Sequence, residues 1–478
     1  MVLNREKKLV KSTIIITIGK VCTQLITFLL LPLYTGILST EEYGIVDLLN
    51  ILVVLLMPVI SLQIEQAVFR ELIEVRNDDN KKSEIISSTI FMVILQCIIF
   101  LAFFIIISPF IHNDYKLFLM TNVLANIFLS LLLQIARGLG NNKTYSIGSF
   151  VSGISTVMLN VFFLVFVKLG ATGMLLGTCL GQIVASIYLI ISLKLYKITK
   201  LKFFNKSTVK ELLKYSIPLI PNAISWWIFN ASDKVIVSAI LGVEQNGILS
   251  ASLKFSSIYI TFYNILNMSW TESIATSIND SDINEYFNRT FDIIIRLFTS
   301  LAVGMIACMP FVYPIMINQK FSGGYGLVPI SLLGSLFNVM VGLISVVYIA
   351  KKNTKAVANI SIISAIINVT VHLLLIKWAG LYAAVISTFA AFFIMTIYRI
   401  IDVNKKYFKI NFDVKLCIMS FISFAFVFVC YYINNFYLNI AGIIFAVAFA
   451  LYTNKKTAKI LITTIISKIS KKFNSKLK

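Results

Sequence analysis

Four basic residues interrupt long apolar runs in this chain: Lys20, Lys234, Lys254 and Arg296. Arg70 and Arg137 stand at the ends of such runs. The acidic residues in comparable places are Glu65, Asp233, Glu272 and Asp292, with Asp47 close to the start of a run. Charge in segments this apolar is costly and faces a cavity or a partner. Lys and Arg in a dry cleft hold phosphate or diphosphate through charge-assisted hydrogen bonds, so an anionic cargo is the chemistry these residues offer. A carrier of cations would need deep acids, and several of the acids here lie near run ends.

Each residue also has a plainer reading. Asp292 and Arg296 are four apart on one helix face and suit a local salt bridge. Asp233 and Lys234 are adjacent and do not share a face, so each needs a partner elsewhere. Lys20 and Lys254 have no opposite charge one turn away, which leaves two readings: a ligand for an anionic cargo, or a side chain reaching toward an interface. Arg70 reads as a ligand or as a basic flank, and the lone His372 as a packed core residue. Trp226, Trp227 and Trp270 read as packing or interface residues before they read as sugar platforms.

Other chemistry has few players. No phosphate-cradling Gly-Lys-Ser/Thr loop is present, which argues against direct use of ATP. Two histidines, His112 and His372, leave little for acid–base catalysis. The six cysteines lie inside apolar runs without paired spacing, so neither a disulfide framework nor a metal site follows. We expect no enzyme activity, no cofactor and no metal.

The elements that position these groups follow from composition. Of 478 residues, 58% are hydrophobic and 13% charged, with a mean hydropathy of +0.88. A soluble globule cannot hide that much apolar surface. Apolar stretches of about 20 residues recur, each long enough to cross a bilayer as a helix. They predict an all-α polytopic membrane protein with about 14 spans, roughly at 12–34, 45–67, 85–108, 116–136, 144–167, 172–193, 215–241, 247–273, 290–313, 327–350, 356–376, 381–400, 415–433 and 437–453. The first run is read as a retained span, not a cleaved signal. The net charge of +21 lies mostly in alternate loops, with about 34 basic residues on one side and about four on the other. That asymmetry predicts both termini at the cytoplasmic side of the inner cell membrane, and assigns the charge to topology, not to nucleic acid.

Residues 37–45, Ile-Leu-Ser-Thr-Glu-Glu-Tyr-Gly-Ile, recur as 240–248, Ile-Leu-Gly-Val-Glu-Gln-Asn-Gly-Ile, at an offset of about 203. A second match sets Asn160, Lys168 and Gly173 against Asn368, Lys377 and Gly380, at an offset of about 208. Copies on the same side of the membrane predict two parallel six-helix repeats. The expected organisation is an N-terminal lobe (1–195), a basic cytoplasmic linker (196–214), a C-terminal lobe (215–402), two additional helices (403–453) and a basic tail (454–478). Pro218 and Pro221 either bend span 7 or mark its start.

An ordered set of motifs resembles a known family. Pro32-Leu-Tyr-Thr-Gly-Ile-Leu-Ser-Thr-Glu-Glu-Tyr-Gly44 is similar to the first external turn of Wzx-type polysaccharide-export flippases, a branch of the multidrug/oligosaccharidyl-lipid/polysaccharide exporter superfamily. Ala67-Val-Phe-Arg70, Ala136-Arg-Gly-Leu-Gly140, Gly170-Ala-Thr-Gly173 with Gly177 and Gly181, and Asp233-Lys234 with Leu241-Gly242 follow in the family's order across about residues 5–400. Many relatives carry Arg where this chain has Gly36.

The resemblance implies a MATE-like fold that moves undecaprenyl-diphosphate-linked oligosaccharides across the membrane, for capsule, O-antigen or exopolysaccharide synthesis. It implies alternating access coupled to a gradient of H+ or Na+, and a polysaccharide polymerase as candidate partner beside membrane lipids. The matching depth assigns the lipid diphosphate to Lys20, Lys254 and Arg296, with Arg70 and Arg137 near the entry. Glu65, Asp233, Glu272 and Asp292 are the ion-coupling candidates. A lipid II flippase and a multidrug/cation antiporter of the same fold stand as alternatives.

Overall fold

A computed structural model describes residues 24–110, 113–351 and 353–474. Lys20, His112, most of the first expected span and the tail side chains beyond Lys455 lie outside the described residues. Among those described there is no strand, and eleven helices are long and apolar enough to cross a membrane. The chain divides into two compact units, Met1–Ala251 and Ser252–Lys478.

In the first unit, α1 (Leu31–Ile37) leads into α2 (Thr40–Ile60). Ser39 and Glu42 close a reciprocal capping box at the start of α2: Glu42 N donates to Ser39 Oγ (3.0 Å) and Ser39 N to Glu42 Oε2 (2.9 Å). There follow α3 (Ile64–Glu74), α4 (Asp79–Ile107), α5 (Lys116–Gly138), α6 (Asn142–Val161) and α7 (Gly170–Ser192). The unit continues through α8 (Lys206–Ser216) and α9 (Ile220–Ile240) into the first two turns of α10 (Val243–Ser277). Pro218 lies in a single 3-10 turn and Pro221 in the first turn of α9, so these prolines start the helix instead of bending its middle.

The apolar and glycine members of the quoted motifs are packing residues. Ala67 and Val68 of α3 and Ala136 of α5 are fully buried in one core with Leu72, Val93 and Leu189. A methyl group on Gly177 would lie 2.8 Å from Asn160 N, and one on Gly181 2.6 Å from Thr156 N, so α6 and α7 touch backbone to backbone.

The second unit holds the rest of α10, then α11 (Ile283–Met316), α12 (Val328–Ala350), α13 (Thr354–Ala379) and α14 (Tyr382–Lys406). The additional helices α15 (Val414–Ile433) and α16 (Phe436–Asn474) pack on α11 and on each other. Their other faces expose Phe421, Ile422, Ile444 and Leu451, as lipid-facing surfaces do. Asn160 and Asn368, matched by the second repeat, are both buried.

Candidate functional site

The two copies of the repeated segment meet. The first turn of α2 crosses the first turn of α10 at Gly44 and Gly247. A methyl group on Gly44 would lie 3.0 Å from Gly247 N and against the Val243 carbonyl; one on Gly247 would lie 3.0 Å from Gly44 N and against the Thr40 carbonyl. Both pairs, Gly44 with Gly247 and Thr40 with Val243, are 203 residues apart. Each glycine meets the other's nitrogen and the carbonyl four residues before it, so the contact is pseudo-twofold.

Polar groups ring this crossing. Thr40 Oγ1 donates to Glu244 Oε1 (3.0 Å) and Asn246 Nδ2 to Gly44 O (3.2 Å). Ser250 Oγ donates to Asp47 Oδ2 (2.7 Å), and these two residues are again 203 apart. Lys234 of α9 reaches both Asp47 oxygens at 3.0 Å, with 20% and 14% of the two side chains exposed. Trp227 Nε1, two turns earlier on α9, donates to Ile51 O (2.9 Å). α2 is therefore pinned to α9 and α10 by one ion pair and a short ladder of hydrogen bonds. Glu42 adds a second task to its capping role: its Oε1 accepts from Ala171 N (3.3 Å) at the start of α7. The sequence showed Asp47 only as an acid near a run's start. Its cation comes from 187 residues away, beyond any local pattern.

A second polar feature lies at the break between α2 and α3. Leu62 and Gln63 stand at φ 52° and 55°, a left-handed conformation unfavourable for side chains of this size. At the break the Ser61 carbonyl accepts from Ile64 N (3.1 Å), closing a 3-10-type turn, and from Gln96 Nε2 of α4 (3.2 Å). Glu65, in the first turn of α3, is 2% exposed. Its Oε1 and the Oε1 of Gln96 are both buried without a hydrogen-bond partner among the described residues. Two buried acceptor oxygens are thus left over beside the break, an arrangement that a proton or a bare cation would satisfy.

Arg70 and Arg137 are exposed. Arg70 lies over the Tyr215 ring (4.5 Å) and Arg137 over the Phe69 ring (4.4 Å). Arg76 Nε donates to Gly138 O (2.7 Å), closing the end of α5.

In the second unit, Lys254 is half-buried, and among the described residues its ammonium has no ion-pair or hydrogen-bond partner. Arg296 binds Asp292 Oδ2 (2.7 Å) through Nε and Asp413 Oδ2 (2.6 Å) through Nη2. The expected local salt bridge is present, and the second carboxylate ties α11 to the start of α15. Asp413 also accepts from Lys415 N (3.0 Å) and Leu416 N (3.3 Å), capping α15. The Arg296 guanidinium holds the Asp413 carboxyl below the usual carboxylate range. Asp233 is half-buried, Glu272 exposed and His372 buried. One buried cation escaped the sequence reading. Arg399 of α14 is 1% exposed; it donates to Val341 O (3.0 Å) and to the Ser345 hydroxyl. At the end of an apolar run it reads as a basic flank. Among the described residues no cluster of His, Cys, Asp or Glu could hold a metal ion.

Residues 9–271, more than half of the chain, match the family model described as polysaccharide biosynthesis protein. No curated protein sequence matches. Among solved structures, the fold is similar to a lipid II flippase, MurJ, in an inward closed conformation: TM-score 0.72 at 17% identity, covering 94% of this chain and 100% of that one. It is also similar to an inward-facing multidrug resistance MATE family transporter of the MOP superfamily, with TM-score 0.62 at 12% identity over 80% of this chain and 95% of that one. A MOP superfamily transporter from Pyrococcus furiosus follows, with TM-score 0.54 at 12% identity over 83% and 95%. At these identities the likeness establishes the fold.

Proposed function

Because the chain belongs to the polysaccharide biosynthesis protein family, we propose that it is a flippase that carries undecaprenyl-diphosphate-linked oligosaccharide units across the cytoplasmic membrane by alternating access. The units would serve a capsule, O-antigen or exopolysaccharide, and a polysaccharide polymerase would receive them on the far side. The observation that carries this reading is the pseudo-twofold crossing at Gly44 and Gly247. Equivalent helices of the two repeats meet there through one ion pair and a few hydrogen bonds. Such a contact parts without unfolding a helix, and alternating access needs that property of a gate. Asp47 and Lys234 are the latch of this gate on the external side.

The lipid diphosphate is bound by Lys20 and by Lys254, whose ammonium has no carboxylate partner among the described residues. Arg70 and Arg137 receive the headgroup at the cytoplasmic entry, and Arg296 positions α15 through Asp413. Glu65 is the ion-coupling group, because a proton or Na+ would satisfy the orphan oxygens beside the α2–α3 break. Asp47 is occupied by Lys234, which disfavours a cationic drug as cargo.

The test is reconstitution into vesicles with a labelled lipid-linked oligosaccharide and a membrane-impermeant reagent that reads its exposure. Protein-dependent translocation, accelerated by an ion gradient, is the expected result. Translocation of lipid II in preference to the oligosaccharide would reassign the substrate. Efflux of cationic dyes with neither lipid moved would remove the flippase reading.

A further inference from the structure

The segment joining α7 to α9 is a basic surface that the transport reading does not use. Between Lys194 and Lys214 it carries seven lysines and one acid, Glu211. It is firmly mounted. Ser87 Oγ of α4 accepts from Lys200 N (3.2 Å), and Ser88 Oγ accepts from Asn205 N (2.9 Å). The Glu84 carboxylate accepts from Asn205 Nδ2 (2.8 Å) and from the Thr208 hydroxyl. Phe204 sets its ring edge-on to Phe91, and α8 buries Val209 and Leu212.

What this mounting leaves outside is specific. Among the described residues none of the seven ammonium groups forms an ion pair, although Glu84 and Glu211 are close in sequence or space; Lys197 and Lys202 instead lie near the rings of Tyr196 and Phe203. Interleaved with the lysines, Tyr196 is 61% and Leu201 73% exposed. Both ends of the segment run into membrane helices, so it stays at the membrane edge. Exposed apolar side chains there enter the acyl boundary while lysines extend to the phosphates. Uncompensated charge on a backbone that is already ordered needs its counter-charge from outside, and little ordering entropy opposes binding.

We infer that residues 194–214 form a binding surface for anionic phospholipid headgroups of the leaflet they face. Its occupant is the bilayer itself, not a soluble anion. The inference is independent of which lipid-linked cargo is moved.

The full chain is extracted from membranes of mixed phosphatidylglycerol and phosphatidylcholine, and the lipid retained per protein is measured. The wild type should retain phosphatidylglycerol preferentially. The variant Lys197→Gln/Lys200→Gln/Lys202→Gln/Lys206→Gln should lose that preference by about tenfold or more, since each lysine near an anionic surface accounts for roughly fivefold. Glu211→Lys should strengthen it, which keeps the test decisive should the quadruple variant fold poorly. Unchanged preference in both variants overturns the inference. So does a thermal stabilisation by inorganic phosphate, in neutral detergent, equal to that by phosphatidylglycerol. The same measurement with the lysines beyond Lys455 neutralised must leave the preference in place; its loss there moves the surface to the tail.

Discussion

Gly44 and Gly247 stand at equivalent positions of a repeat, and each would drive a side chain into the other's backbone. Within the first unit, the same residues that reveal the duplication are the point where its two copies touch. At this separation neither position tolerates a β-carbon without the helices moving apart.

Gly44→Ala and Gly247→Ala should each cost about 1–3 kcal/mol, because the added methyl group meets backbone and no flexible side chain can yield. Thermal unfolding in detergent reads the loss. The two substitutions together should cost less than the sum of the singles, since one separation of the helices relieves both clashes. Strict additivity would mean that the glycines act separately.

Asp47→Asn should loosen the latch by about 2 kcal/mol by removing a charge-assisted bond to Lys234. A double-mutant cycle with Lys234→Gln isolates the coupling. Paired cysteines at positions 40 and 243 report opening, and cross-linking should fall in either single variant. Unaltered cross-linking would leave the ion pair without a gating role.

Glu65→Gln keeps the shape of the side chain and removes its ability to ionise. Translocation should become insensitive to the coupling gradient while downhill equilibration persists. Loss of dependence on pH identifies a proton as the coupling ion, and loss of dependence on sodium identifies Na+. A variant that still answers to both gradients shows that Glu65 does not couple.

The Arg296 guanidinium holds the Asp413 carboxyl below its ordinary value, so folding releases a proton that the unfolded chain keeps longer. The stabilisation is complete above the unfolded carboxylate's range, near about pH 4, and is lost as pH falls through the lower folded value. The thermal midpoint of wild type should drop over that acid window more steeply than that of Asp413→Asn. The two should run parallel at neutral pH. Parallel curves throughout would mean that the pair adds nothing to the docking of α15.

Lys254→Ala removes a half-buried ammonium that has no partner among the described residues. Binding of the lipid diphosphate should weaken by about tenfold or more, the effect of losing a charge-assisted hydrogen bond, with protein level unchanged. Lys20→Ala should do the same. Full surface-polysaccharide export by the double variant would exclude a cationic binding site built on them.

Much of the fold was legible because crossing a bilayer is a local property. Each helix satisfies its own backbone hydrogen bonds, so run length and capping residues suffice to place it. The expected run 172–193 is the helix Gly170–Ser192, and 415–433 is Val414–Ile433. The repeat offset could be read in the same way, as could the Asp292–Arg296 bridge, since four residues along a helix is a fixed distance.

The sequence alone thus determined an all-helical membrane protein with a repeated segment and with its basic charge gathered in alternate loops. Only the tertiary structure decided which charges are free. Lys234 and Lys254 look alike in the sequence, yet one is neutralised by Asp47 and the other by no described residue. Glu42 and Asp47 are two acids five residues apart in the sequence, yet one caps helices and the other closes an ion pair. Glu65 looks like a residue at a run's end, yet it is sealed beside a left-handed break. Each outcome depends on how helices distant in the chain are rotated against one another, and hydropathy along one dimension does not record that rotation.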